Sequence, residues 1–488
     1  MIRPAIDEAR AFAEDFKIIP IGMELLSDIK TTVEVLRTLK STGKKTFLLE
    51  SVEGGEKWGR YSFLGFDPKL TIKGMNGSVE IEDKTGVQTS IENPINVIRE
   101  IIAENKSPQL SEFPVFTGGF VGSFAYDFVK YFEPNLSFEN ENPEAFEDFQ
   151  LMLFDKIIAY DHLKQKMILI VNIKTDYFEK NYIDGVIQLK EMEALIIGNH
   201  TNQSFKGKLK SEFKSIFTKE YYCEMVEKTK EHIVQGDIFQ AVISNRAEAS
   251  FEGDLLPTYR ILRTINPSPY MFYLDFLTMQ VAGASPETLV SLKNGQLATF
   301  PIAGSCPRGE SPEEDEKNIS DLLEDEKELS EHDMLVDLGR NDLGKISEFG
   351  SVKVDNYKQV LKFSHISHIC STVTGKMRKE LNQMDAITAV LPAGTLSGAP
   401  KHRAIEIINE LEGQKRGIYG GAVGYIDFSG NLDMCIAIRM AVKKNDKVYI
   451  SAGAGIVADS IPEKEFVESN NKARAMFVAI EKGQEIES

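Results

Sequence analysis

Short alternating or continuous apolar segments dominate the chain, with a few longer helical periods set among them. Thr46–Leu49, Lys69–Ile72, Lys156–Tyr160 and Met167–Ile173 read as strands, and Gly118, Gly119 and Gly122 punctuate an aromatic stretch ending at Phe128. Residues 197 to 215 hold few apolar side chains and several Asn, Ser, Gly and Lys, the composition of a connector. Beyond them Lys219–Gln235 carries a helical period, with Gly236 placed to close it. Phe239–Ile243, Met271–Leu274, Thr278–Ala282 and Thr288–Leu292 read as strands, and Asn318–Leu338 as one helix. Pro400–Leu411 is a further helix, followed by strands Tyr419–Phe428, Met434–Val442 and Lys447–Ala452, with a turn at Gly430-Asn431. Ser460-Ile-Pro462 opens a last helix to Lys482. Strands that succeed one another through short turns favour antiparallel pairing, so the expected class is α+β. The expected organisation is an N-terminal lobe over 15–175, a connector over 176–215 and a second domain over 216–484.

The formal charge of −18 disfavours a nucleic-acid partner and an anionic membrane surface. It would also repel an anionic small molecule, so such a substrate needs local cations or a bound metal. No apolar run is long enough to span a bilayer, and Asp7, Glu8 and Glu14 leave no signal-peptide core, so a cytoplasmic home is expected. Cys223, Cys306, Cys370 and Cys435 form no C-x-x-C pair and are expected to be reduced.

Several groups of residues carry possible chemistry. Glu310 to Asp333 holds twelve acids and two lysines, ordinarily a solvated face. On one helix, Glu324, Glu328 and Glu331 would share a stripe, and a hard divalent cation would relieve their repulsion. Glu468 lies on the last helix, opposite its apolar face, and by itself reads as a surface acid. Gly453-x-Gly455-x-x-Ala458 mimics a dinucleotide fingerprint. That reading is rejected, because no second β-α-β step follows. The small residues serve better by letting backbone N–H groups approach an anion. Gly394-Thr-Leu-Ser-Gly-Ala-Pro-Lys401 lacks the Walker pattern, and reads either as helix capping or as an anion or hydroxyl site. His365 and His368 are three apart, with no further zinc motif. Arg439 interrupts an apolar strand, as an exposed edge residue or as a buried anion clamp.

Taken together, these segments resemble the chorismate-utilising enzymes, and most closely the anthranilate synthase component I branch. The matching motifs are Pro301-Ile-Ala-Gly-Ser305, Asp325-Glu-Lys-Glu-Leu-Ser-Glu-His332, Leu335-Val-Asp-Leu-Gly-Arg-Asn-Asp342, Gly394–Lys401, Arg416-Gly-Ile-Tyr-Gly-Gly-Ala-Val-Gly-Tyr425, Ala437-Ile-Arg439 and Ala452–Ser460. They run in order from 220 to 480, and Leu48-Leu-Glu-Ser51 adds a looser match in the first half. The resemblance implies a two-lobed fold with antiparallel sheets packed as a sandwich and flanking helices. It implies conversion of chorismate and ammonia to anthranilate and pyruvate. Mg²⁺ would be held by Glu331 and Glu468. Gly304, Ser305, Tyr419, Arg439, Gly453, Ala454 and Gly455 would bind the substrate. Glu287 would protonate the leaving hydroxyl, His368 would transfer a proton during pyruvate loss, and Thr395 would orient the substrate. Ser51 with Pro269, Tyr270 and Met271 resembles the two halves of a tryptophan feedback site.

Within the family, water-adding relatives carry a lysine base where this chain has Gln240. Many aminodeoxychorismate synthases, the alternative reading, carry a nucleophilic lysine where it has Ala303. The chain departs from the family pattern at Ser305, Cys306 and Met440. It has no Gly-x-Cys-x-Gly elbow, so a separate glutamine amidotransferase subunit is expected to supply the ammonia.

Overall fold

The computed structural model describes residues 1–488 except 52–58, 139, 199–202, 363–365 and 487–488. Among the described residues the strands form two large antiparallel sheets. The first runs Ile2–Arg3, Ile18–Leu26, Lys166–Lys174, Lys156–Asp161, Tyr61–Phe66, Thr46–Glu50, Tyr270–Asp275, Met279–Ser285, Met440–Lys444, Lys447–Ile456, Gln240–Gly253 and Gly207–Leu209. The second includes Ile302–Pro307, Ile366–Lys376, Gln296–Thr299, Thr288–Lys293, Leu432–Ile436, Ala422–Asp427, Gly119–Phe124, Phe149–Phe154 and Leu70–Met75. The sheets face each other across one apolar core. Phe47 of the first meets Phe154 of the second with ring centroids 4.8 Å apart. Phe116 bridges Phe63 at 5.3 Å and Tyr425 at 4.3 Å. Burying rings of this size contributes about 2–3 kcal/mol each. The expected α+β class and sandwich are both present.

The division of the chain near 176–215 is not a division of the sheets. Thr46–Glu50 pairs with Tyr270–Asp275 in the first sheet, and Gly119–Phe124 pairs with Ala422–Asp427 in the second. Each sheet is thus built from both halves. The 176–215 segment is also not all connector, because it contains the helix Phe178–Ile197. Its buried residues Tyr182, Gly185, Leu189, Met192 and Ile196 keep helical spacing, and the apolar ones pack on the outer face of the first sheet. The helices Thr32–Lys40, Leu256–Ile265 and Pro462–Gly483 cover the same face.

Two expected elements are broken, and both breaks matter for the site. Asn318–Leu338 is two helices, Pro312–Glu324 and Glu326–Gly344. Asp325 separates them, its carboxylate accepting from the N–H groups of Lys327 (2.9 Å) and Glu328 (3.2 Å). A short acidic side chain offered free N–H groups caps a helix more readily than it continues one. Glu324 therefore does not share a stripe with Glu328 and Glu331. Likewise Met434–Val442 is two strands, Leu432–Ile436 in the second sheet and Met440–Lys444 in the first. The chain crosses between sheets at Ala437-Ile-Arg439.

A buried ion pair fixes the floor beneath these crossings. The Arg416 guanidinium donates to both carboxylate oxygens of Glu412 at 2.8 and 2.6 Å. It also donates to the carbonyls of Leu396 (2.7 Å) and Val242 (2.6 Å) and lies under the Tyr419 ring. Glu412→Ala would leave this buried cation uncompensated. The expected loss is about 3–5 kcal/mol, read as a lower denaturant midpoint. A change below about 1 kcal/mol, the worth of an exposed pair, would contradict the role assigned to it.

Candidate active site

A cavity of about 600 Å³ opens where the two sheets exchange strands. Its wall is built at two adjacent crossings. At one, Ser285-Pro-Glu-Thr288 leaves the first sheet for the second. At the other, Ile436 to Met440 returns. The crossings are tied together, Ile436 N–H donating to Glu287 O (3.0 Å) and Ala284 N–H to Arg439 O (3.1 Å). Glu287 and Arg439 consequently line the same cavity. Arg439 has φ of +50°, a left-handed conformation that costs a non-glycine residue about 1 kcal/mol or more. Of its two sequence readings, the exposed edge residue does not fit: Arg439 is half-buried and lines the cavity, and burial draws its guanidinium down from its usual value, with Glu287 opposing. Burial also raises the Glu287 carboxyl, to about 7, against the lowering influence of Thr395, Arg439 and Lys472.

His368 enters from strand Ile366–Lys376, opposite Ser305. The pairing slips between Ala303 and Ser305, a bulge centred on Gly304 with φ of +76°. A Cβ there would also come within 3.3 Å of Glu328 Oε2, so glycine suits both the backbone and the space. Burial first, then Arg439, lowers the His368 pKa, while a hydrogen bond to the Gly304 backbone opposes them. The ring is thus held neutral and able to accept a proton. His365 lies outside the described residues.

Gly453 and Gly455 lie on strand Lys447–Ile456, opposite Ser244 and Val242. This is an antiparallel strand, which agrees with rejecting the dinucleotide reading. The N–H of Ser244 is spent on Glu412 and that of Val242 on Ser397 O. Gly453 and Gly455 therefore turn their N–H groups away from that neighbour. On the other side, strand Met440–Lys444 pairs only as far as Ile450, so no described strand covers them there. A Cβ on Gly455 would stand 2.4 Å from Gln240 Nε2, which also lines the cavity. Ala454 alternates to the opposite face and packs among Tyr222, Met225 and Ile407, so its side chain takes no part in the cavity.

The acidic wall comes from two helices. Glu328 and Glu331 project from Glu326–Gly344, and Glu465 and Glu468 from Pro462–Gly483. Burial raises the Glu331 carboxyl, with Glu328 and Glu468 adding like-charge repulsion and Lys327 and Lys472 lowering it. Glu468 is paired with Lys472 at 2.8 Å, and Lys472 also donates to Gly453 O (3.3 Å). Gly304, Ser305, Tyr419 and Thr395 complete the wall. Thr395 Oγ1 is buried without a well-formed hydrogen bond. Glu465, Lys327 and Lys472 were not singled out from the sequence. Glu465 and Lys472 stand at three before and four after Glu468, a helical spacing that marks one face.

The expected regulatory residues divide. Met271 pairs with Glu50, which brings Ser51 beside Pro269-Tyr-Met271. Pro269 lines the cavity. Tyr270 and Met271 point to opposite faces, Tyr270 hydrogen-bonding Thr288 and Asp433 (both 2.8 Å) and Met271 buried in the outer core.

Comparison with known proteins gives a consistent picture. The family model described as chorismate binding enzyme matches residues 45–478. Anthranilate synthase component 1 of Acetivibrio thermocellus is 44% identical over 100% of both chains. That of Aquifex aeolicus is 44% identical over 99% of this chain and 98% of its own. The crystal structure of anthranilate synthase component I from Streptococcus pneumoniae superposes with a TM-score of 0.76 at 36% identity, covering 93% of this chain and 98% of that one. A menaquinone-specific isochorismate synthase from Escherichia coli, 17% identical with a TM-score of 0.72 over 98% and 99% of the two chains, shares the fold. The chain is a member of the chorismate binding enzyme family, in the branch of anthranilate synthase component 1.

Proposed function

We propose that this chain is the chorismate-converting subunit of an anthranilate synthase, a lyase forming anthranilate and pyruvate for tryptophan synthesis. The observation that carries the reading is the cavity itself, where an acid raised to about 7, a half-buried arginine, a neutral histidine and four glutamates meet. The oxygen-only donor set and the raised Glu331 carboxyl fit a hard divalent ion, so Glu331 and Glu468 would hold Mg²⁺. When bound, the ion supplies positive charge for the ring carboxylate of chorismate.

Arg439, Tyr419 and the N–H groups of Gly453 and Gly455 bind the enolpyruvyl carboxylate, with Gly304 and Ser305 beside the ring. Thr395 orients the hydroxyl that leaves, and Glu287 protonates it. His368 moves a proton as pyruvate is eliminated. Gln240 cannot act as a base, and ammonia, itself a nucleophile, needs none. Ala303 provides no covalent alternative. A glutamine amidotransferase subunit supplies the ammonia, and the reaction takes place in the cytoplasm. Tryptophan bound at Ser51 and Pro269–Met271 favours an arrangement less competent for chorismate. Pro269 in the cavity wall, and the Tyr270 bond to the neighbour of Glu287, offer the connection.

The decisive experiment supplies the chain with chorismate, Mg²⁺ and ammonium. Fluorescent anthranilate and pyruvate are expected, suppressed by tryptophan. A non-aromatic amino product would favour the aminodeoxychorismate reading, and no reaction would overturn both. Glu287 acts as an acid only while protonated, so kcat/KM should fall as pH rises through about 7. Glu287→Gln should lose about 10²–10⁴-fold in turnover. An alkaline limb unchanged in that variant would assign the acid elsewhere.

A further inference from the structure

The wall carrying Glu287 has a second side. Behind it lies a separate chamber of about 40 Å³, bordered by Thr299, Leu338, Gly339 and Asp342. Glu287, Thr395 and Leu335 border both spaces. A water molecule needs about 15 Å³ and two to four polar partners, so the chamber has room for about two. Partners are at hand. Thr395 Oγ1 is buried without a well-formed hydrogen bond. The Thr288 hydroxyl is bonded to Tyr270 on one side. At the far end stands the Asp342 carboxylate, held by Lys401 (2.6 Å) and Lys345 (3.1 Å). That end reaches the surface: Leu338 and Gly339 are half-buried, and Arg340 and Asn341 are exposed.

We propose that this chamber carries away the water expelled from the substrate and returns a proton to Glu287. The proposal rests on the functional reading above, and deepens it. In each turnover the Glu287 proton passes to the leaving hydroxyl, the C–O bond breaks with its electron pair on oxygen, and one water forms. Ammonia bonds to the ring, and the resulting ammonium sheds one proton to solvent. Glu287 is left as a carboxylate and must recover one proton, so the sum of the step is proton-neutral with one water to discharge. The substrate fills the front of the site. A hydrated rear chamber, with threonine hydroxyls between Glu287 and the surface, meets both needs without waiting for the front to open.

Two variants test this without altering a group that touches substrate. At Gly339 a Cβ would stand 3.1 Å from Thr299 Cγ2, so Gly339→Leu fills the chamber from its outer end. Thr299→Val keeps the volume and removes a hydroxyl. Steady-state turnover on ammonium should fall at least about tenfold in the first and about threefold in the second. KM for chorismate should be unchanged, and rapid-quench measurements should show a first turnover at the wild-type rate. The solvent deuterium isotope effect on kcat should rise in Thr299→Val. If Gly339→Leu does not fold, Thr299→Val decides alone. Turnover within about twofold of wild type, or a first turnover slowed as much as the later ones, would overturn the proposal. A wild-type chain making no anthranilate would overturn the functional reading instead, and this step with it.

Discussion

Like charges gathered on one wall of the cavity, from half-buried Glu331 to exposed Glu468, set the terms for the rest of this molecule. Glu328 and Glu331 come from one helix and Glu465 and Glu468 from another, each pair three residues apart, so each helix shows both carboxylates to the cavity. Burial and the neighbouring acids push Glu331 upward. Lys327 and Lys472 offset part of this, but Lys472 is also engaged by Glu468 and the Gly453 carbonyl. A fold gains no stability from such an arrangement. A cation shared with an anionic ligand, as proposed above, would relieve this repulsion and would help a chain of formal charge −18 bind a dianion.

The sheets supply the opposite charge. Glu287 and Arg439 sit at neighbouring crossings, joined by backbone hydrogen bonds, so acid and cation keep a fixed relation. The left-handed backbone at Arg439 is the cost of turning a strand from one sheet to the other while aiming a guanidinium inward. Beneath, Arg416, paired with Glu412, donates to the Leu396 and Val242 carbonyls and supports Tyr419. The cavity is therefore framed by both sheets and by two helices.

Much of this was legible in the residues. The helix Lys219–Gln235 ends at Gly236 as its period required, and the antiparallel class followed from the short turns. The catalytic, metal and substrate candidates, apart from Ala454, line one cavity. The Ala454 side chain lies outside the cavity because strand alternation turns it to the opposite face from its glycine neighbours. The break at Asp325 was hidden because an acidic run with helical spacing does not announce where one of its acids becomes a cap. The crossing at Arg439 was hidden for a similar reason: CIAIRMAV is apolar on both sides of the arginine, and pairing partners far away in the chain decide that it changes sheets. The sharing of both sheets between the halves depends on such distant pairings and has no local signature.

The central claim is that Glu331 and Glu468 act on one ion. Calorimetric titration of Mg²⁺ into the chain, with chorismate present and ammonia withheld, tests it directly. One ion per chain is predicted for wild type, with affinity reduced at least about tenfold in both Glu331→Gln and Glu468→Gln. Unaltered binding in either variant would contradict the account.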